Sequence, residues 1–182
     1  TFANIAAKIE TFQYTCMHRD YHSRNLMILE SNQLGVLDFQ DAVWGPVTYD
    51  ALSLLKDCYI SWPRDKVLDL LGQYHQMLLS SAIISKQTFA EFITEFDWVG
   101  VQRHLKVIGI FSRLHLRDRK PGFLKDIPLA MRYLIEALST FDELNEFNTW
   151  VSETILPIYQ DVMLVSNMHK VSKNLKMELD KK

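Results

Sequence analysis

Two short apolar runs, Leu26-Met27-Ile28-Leu29 and Leu34-Gly35-Val36-Leu37, flank the four polar residues Glu30-Ser31-Asn32-Gln33. This pattern predicts a β-hairpin. It constrains the chain more than any bulk property because of what stands at the hairpin's open end. His18-Arg19-Asp20-Tyr21-His22-Ser23-Arg24-Asn25 leads into the first strand, and Asp38-Phe39 follows the second. Entry and exit share one end of an antiparallel pair, so Asn25 and Asp38 should come together despite the thirteen-residue step between them.

A carboxylate, an amide and a second carboxylate in that order suit phosphoryl transfer. A base must accept the acceptor hydroxyl's proton, and hard oxygen donors must hold Mg²⁺ on the nucleotide phosphates. The pattern H-R-D-x-x-x-x-N with a downstream Asp-Phe provides both, with Asp20 as base and Asn25 and Asp38 on the metal. Mg²⁺ keeps several waters, so two protein ligands suffice. His18 and His22 read as structural support that packs and hydrogen-bonds within the loop. Arg19 and Arg24 read as solvated or ion-paired. Asp41 is a candidate acceptor-site residue, with a local loop hydrogen bond as the alternative. Asp50 follows the apparent turn Gly45-Pro46-Val47-Thr48 at a helix start; it either satisfies unpaired helix N–H groups or reaches across to hold the catalytic loop.

Elsewhere the periodicity is helical. Residues 3–13 read as an amphipathic helix and Tyr14 to Met17 as a strand. Leu52, Leu55, Cys58 and Tyr59 form a stripe ended by Trp62-Pro63, and Val67, Leu70, Leu71, Tyr74 and Leu78 form another. Apolar positions recur through Phe89–Phe96 and Val101–Leu116, and Asp118 to Gly122 reads as a turn. A helix starts near Pro128 and runs from Ile127 to Leu138; residues 142–165 read as two helices broken at Pro157. Trp98, Gln102, Arg103, His104, Lys106 and Arg113 suggest a basic helix face, either solvated or, with Arg103, a wall of the acceptor site. The fold class is mainly α (α+β): residues 1–165 form one lobe with a small hairpin carrying the catalytic and metal loops, and 166–182 form a polar, Lys-rich tail.

Composition supports a globular chain: 182 residues, 48% hydrophobic and 23% charged. A net charge of −2 gives no basis for nucleic-acid or anionic-membrane binding. The apolar runs are too short to span a bilayer, and no leader precedes the first motif. Cys16 and Cys58 read as buried thiols in a reducing compartment, which suits a cytoplasmic location.

The motifs resemble the aminoglycoside phosphotransferase and choline kinase-like family, in which the second histidine of H-x-D-x-H-x-x-N is typical. The strings HRDYHSRNLM, LDFQDAVWGPVTYDALSLLKDCYISWP, QRHLKVIGIF and RDRKPGFLKDIP are similar to bacterial N-acetylmuramate/N-acetylglucosamine kinases over residues 16–138. The resemblance implies the C-terminal lobe of a protein kinase-like fold, ATP as donor, Mg²⁺ as cofactor and phosphorylation of an anomeric hydroxyl in cell-wall recycling. An aminoglycoside or choline-type acceptor is the alternative, although polycationic aminoglycosides favour an acidic pocket. A reading of another class is a non-catalytic remnant acting through protein contacts. Only seventeen residues precede His18, and the six glycines are scattered, so the family's nucleotide-binding lobe is expected to be absent from this chain. The lobe by itself should then show little kinase activity and should tend to self-associate through its uncovered face.

Overall fold

The computed structural model describes residues 1–30 and 32–160. They divide into two compact units, separated between Ala137 and Leu138. The architecture is mainly helical with two small antiparallel two-stranded sheets.

In the first unit, helix α1 spans Phe2–Ile9 and buries Ile5 and Ile9. It is shorter than the predicted 3–13, because residues 10–12 leave the helix in tight turns. Strand β1 (Tyr14–Met17) follows, then a short 3₁₀ turn, Ser23–Asn25, that delivers the chain to the hairpin β2 (Leu26–Ile28) and β3 (Leu34–Val36). The hairpin pairs Leu26 with Val36 and Ile28 with Leu34, as the sequence pattern requires. β4 (Val43–Pro46) pairs antiparallel with β1, Tyr14 opposite Pro46 and Met17 opposite Val43. Gly45-Pro46 is therefore strand rather than turn. Proline is tolerated there because it ends a two-stranded ribbon, where one side of the backbone needs no ladder bond.

Helix α2 (Tyr49–Leu55) buries Tyr49, Leu52, Ser53 and Leu55. It closes at Lys56, so Cys58 and Tyr59 lie beyond it in a loop rather than on its stripe. α3 (Arg64–Ser80) begins after Pro63 and buries Val67, Leu71, His75 and Leu78. The predicted stripes around Phe96 and Leu105 belong to one 28-residue helix, α4 (Phe89–Leu116). Thr88 and Glu91 start it with a reciprocal capping box. α4 packs on α1, α2, α3 and the 3₁₀ segment Pro121–Asp126. Leu52, Leu71, Phe92, Val99 and Val101 are completely buried here; each contributes about 1.5–3 kcal/mol of hydrophobic stabilisation. α5 (Ile127–Leu138) confirms the predicted bounds.

The α4 surface expected to be basic and solvated is largely core. Trp98, Arg103 and His104 are buried, whereas Gln102 and Arg113 are exposed. Total burial pushes His104 down to about 3, so it is neutral in the folded chain. Lys56, nearly fully buried, lies 3.4 Å from Asp97 and 3.5 Å from Glu136; Arg64 reaches the same two carboxylates. Cys58 is buried, but Cys16 is exposed, contrary to expectation, because its side of the two-stranded ribbon is not covered.

In the second unit a 3₁₀ turn, Asp142–Leu144, leads into α6 (Asn145–Trp150). Residues Val151–Ile155 form a π-helical turn, and the chain is helical again over 156–160. The predicted break at Pro157 does not occur. A widened turn just upstream changes the bonding ladder where proline lacks a donor. The predicted tail, 166–182, lies outside the described residues, and no described helix is long and apolar enough to cross a membrane.

Candidate active site

The first unit gathers the predicted residues around the hairpin's open end. The Leu37 N–H donates to the Asn25 carbonyl at 2.9 Å, extending the ladder by one step and setting Asp38 beside the Asn25 turn. Asn25 Nδ2 donates to the Asp20 carbonyl at 3.0 Å. That bond needs the amide nitrogen, so it fixes the side-chain orientation and leaves Oδ1 as an uncommitted hard donor. Asp38 is exposed and sits in the left-handed region at φ 60°, ψ 34°, with no hydrogen bond to its carboxylate among the described residues. Aspartate tolerates this backbone better than most residues, and such strain concentrates at functional positions. An amide oxygen and a carboxylate are the ligand type Mg²⁺ takes when it keeps water and phosphate oxygens as well. These residues therefore fit the metal implied by the resemblance. Asp20 is exposed at the head of the same loop.

Two carboxylates from the α2 region hold this loop at both ends. Asp50 accepts the backbone N–H of His18 at 2.6 Å and of Arg19 at 3.1 Å. Arg19 has φ 76°, a conformation that needs such external support. Of the two roles read for Asp50, reaching across to the loop is the one observed. Burial raises its pKa, and the two backbone bonds together with the charges of His18 and Arg103 partly oppose that rise.

At the other end, Asp57 is completely buried and accepts the Ser23 N–H at 3.1 Å, the Ser23 hydroxyl at 2.6 Å and the Tyr59 N–H at 3.1 Å. Sequence reasoning missed Asp57. An aspartate just past a helix carries no periodic signal, and its partner lies thirty-four residues away.

The supporting residues differ from expectation in detail. Among the described residues the His18 ring makes no hydrogen bond; it meets Tyr21 edge-on at 5.8 Å while its backbone is held by Asp50. His22 meets Tyr59 edge-on at 5.7 Å, and burial lowers its pKa despite nearby Asp57. Arg24 stacks on the same Tyr59 ring, its guanidinium carbon 3.4 Å from the ring centre. Arg103 does not form an exposed acceptor wall. It is buried and donates Nε–H to Ser53 Oγ at 2.7 Å, and its charge favours the ionised form of Asp50. Asp41 is exposed at the end of the short turn after Asp38. Beside the His18–Asn25 loop lies a largely apolar cavity of about 610 Å³, bounded by Cys16, His18, Tyr21, Asp50, Leu70 and Tyr74.

Residues 2–83 match the profile of the phosphotransferase enzyme family, APH. The chain is also similar to N-acetylmuramate/N-acetylglucosamine kinases. It is 49% identical to the one from Pseudomonas aeruginosa over 130 residues, covering 71% of this chain and 38% of that protein. It is 47% identical to the Pseudomonas putida kinase over 75% of this chain and 40% of the relative. With the Neisseria meningitidis serogroup B kinase the identity is 44%, over 70% and 38% respectively. The resemblance read from the motifs is thus shown, and the chain spans at most 40% of the length of these curated relatives.

Proposed function

We propose that this chain carries the acceptor- and metal-handling part of an ATP-dependent phosphotransferase, in the manner of the C-terminal lobe of a protein kinase-like fold. The acceptor is a hydroxyl of an amino sugar such as N-acetylmuramate or N-acetylglucosamine. The observation that carries the reading is the single constellation at the hairpin mouth: Asp20 tied to Asn25 through its carbonyl, and Asn25 tied to the step before Asp38. The names of the similar kinases support the acceptor class.

In this mechanism Asp20 accepts the proton of the acceptor hydroxyl. The acceptor oxygen bonds the γ-phosphorus, the bond from that phosphorus to the β-phosphate oxygen breaks, and ADP leaves with the electron pair. Asn25 Oδ1 and Asp38 would hold Mg²⁺, which when bound neutralises charge on the phosphates. Asp50 and Asp57 contact the loop backbone and Ser23, so they position Asp20 rather than react. ATP as co-substrate places the activity in the cytoplasm.

The test is coupled ADP release by the full natural polypeptide containing these residues, with N-acetylmuramate, N-acetylglucosamine, choline and kanamycin as acceptors. An amino sugar should stimulate turnover, and Asp20→Asn should lower kcat by about 10²–10⁴-fold. Stimulation by kanamycin or choline alone, or full activity in Asp20→Asn, refutes the reading.

A further inference from the structure

A second cavity, of about 450 Å³, lies between the loop after α2, the start of α3 and α5. Its wall combines an aromatic face with several cations. Trp62 is 43% exposed at its edge. Lys56 and Arg64 are committed to Asp97 and Glu136, leaving their local charge balanced. Arg132 differs: it forms no ion pair among the described residues, donating Nη2–H to neutral Ser61 Oγ at 2.7 Å with its guanidinium 5.5 Å from the Tyr133 ring centre. A guanidinium presents five donors in a plane, so most of Arg132's capacity is unspent. The cavity therefore offers an apolar aromatic plane beside an uncompensated planar cation.

These features suit a particular ligand chemistry. The C–H face of a pyranose ring is weakly positive and packs on the negative face of an indole. A carboxylate matches the guanidinium fork with two parallel hydrogen bonds. The loop carrying Trp62 also touches the catalytic loop, through Asp57 to Ser23 and Tyr59 to His22. Tyr59 and Trp62 are three residues apart, which a chain spans in at most about 11 Å.

Resting on the amino-sugar reading above, we propose that this cavity is the specificity subsite for a carboxylate-bearing acceptor. Trp62 packs against the pyranose ring, and Arg132 pairs with an acidic substituent such as the lactyl carboxylate that distinguishes N-acetylmuramate from N-acetylglucosamine. Arg132 then selects between the two sugars, while Trp62 serves both.

The experiment compares Arg132→Gln, Arg132→Lys, Trp62→Ala and the distant surface control Lys66→Gln in the full natural polypeptide. Each is titrated calorimetrically with N-acetylmuramate and N-acetylglucosamine without nucleotide, and assayed for kcat/KM with both. Arg132→Gln should weaken N-acetylmuramate by about tenfold or more and barely alter N-acetylglucosamine. Arg132→Lys should recover part of the loss, and Trp62→Ala should weaken both sugars. The proposal is overturned if Arg132→Gln shifts both sugars equally or neither, if Trp62→Ala leaves both unchanged, or if the unmodified protein binds neither sugar. An enzyme that turns over amino sugars with an unaltered ratio in Arg132→Gln loses only this subsite. An unmodified enzyme that no amino sugar stimulates loses the functional reading itself.

Discussion

The contact between Asp57 and Ser23 gives the sharpest test of how the catalytic loop is held. Asp57 is fully buried and accepts three hydrogen bonds, two from Ser23 and one from the Tyr59 N–H. Truncating it to alanine leaves two backbone N–H groups and one hydroxyl without their acceptor. An unmet buried donor costs about 1–3 kcal/mol, and water reaches part of this loop, so Asp57→Ala should destabilise by about 2–4 kcal/mol. Ser23→Ala removes only the 2.6 Å hydroxyl bond to a charged acceptor, which is about 1.5 kcal/mol. Once Asp57 is gone that hydroxyl has nothing left to lose, so the double variant should fall short of additivity by about 1–1.5 kcal/mol. Urea unfolding followed by tryptophan fluorescence measures all four corners of the cycle, with an unchanged m-value confirming that the denatured state is comparable. Additivity to within about 0.3 kcal/mol, or an Asp57→Ala cost below about 1 kcal/mol, would refute the claim that this carboxylate anchors the loop.

Other consequences are equally concrete. Asp50→Ala should cost about 2–4 kcal/mol, because the His18 and Arg19 N–H groups lose their acceptor and the left-handed Arg19 loses its support; chemical denaturation reads it. Asn25→Ala and Asp38→Ala should raise the Mg²⁺ concentration needed for half-maximal turnover, measured by metal titration of ADP release; an unchanged requirement removes them as ligands. His104 has a folded pKa of about 3 against an ordinary 6.5. Over that interval the unfolded chain binds a proton that the folded chain refuses, so stability should fall as pH drops below about 6.5, by up to about 1.4 kcal/mol per pH unit. Unfolding curves between about pH 6 and 4.5 test this, and in His104→Gln that slope should largely disappear.

The sequence made local features legible and long-range ones opaque. The β2–β3 hairpin was readable because its turn and both strands are contiguous, and its register then dictated the meeting of Asn25 and Asp38. α3 and α5 were readable from apolar periodicity. β4 was not: its residues include Gly45-Pro46, which locally signals a turn, and only pairing with β1, some thirty residues earlier, makes it a strand. Polar residues on α4 misled for a related reason. The reading of a basic face included Arg103 and His104, but the tertiary fold accommodates both in the core: Ser53 accepts from Arg103, and His104 is buried neutral. Among the candidate site residues, Asp20, Asn25 and Asp38 carried a motif; Asp57 had none.

On the proposed reading, the two loop-holding carboxylates account for chemistry on an irregular segment. A loop ordinarily pays for exposure with mobility, and a base displaced by an ångström loses much of its effect. Here Asp50 lies on α2 and Asp57 just past its end, and α2 packs on α4 at the centre of the unit. The backbone is thereby fixed before Asp20, at His18 and Arg19, and after it, at Ser23, while the Asp20 side chain stays exposed. Loop position is referred to a rigid helix through backbone bonds, so neither holding residue needs to approach the reacting atoms. Replacing either should therefore lower kcat together with stability, whereas replacing Asp20 should lower kcat alone. That separation distinguishes positioning from proton acceptance in this site.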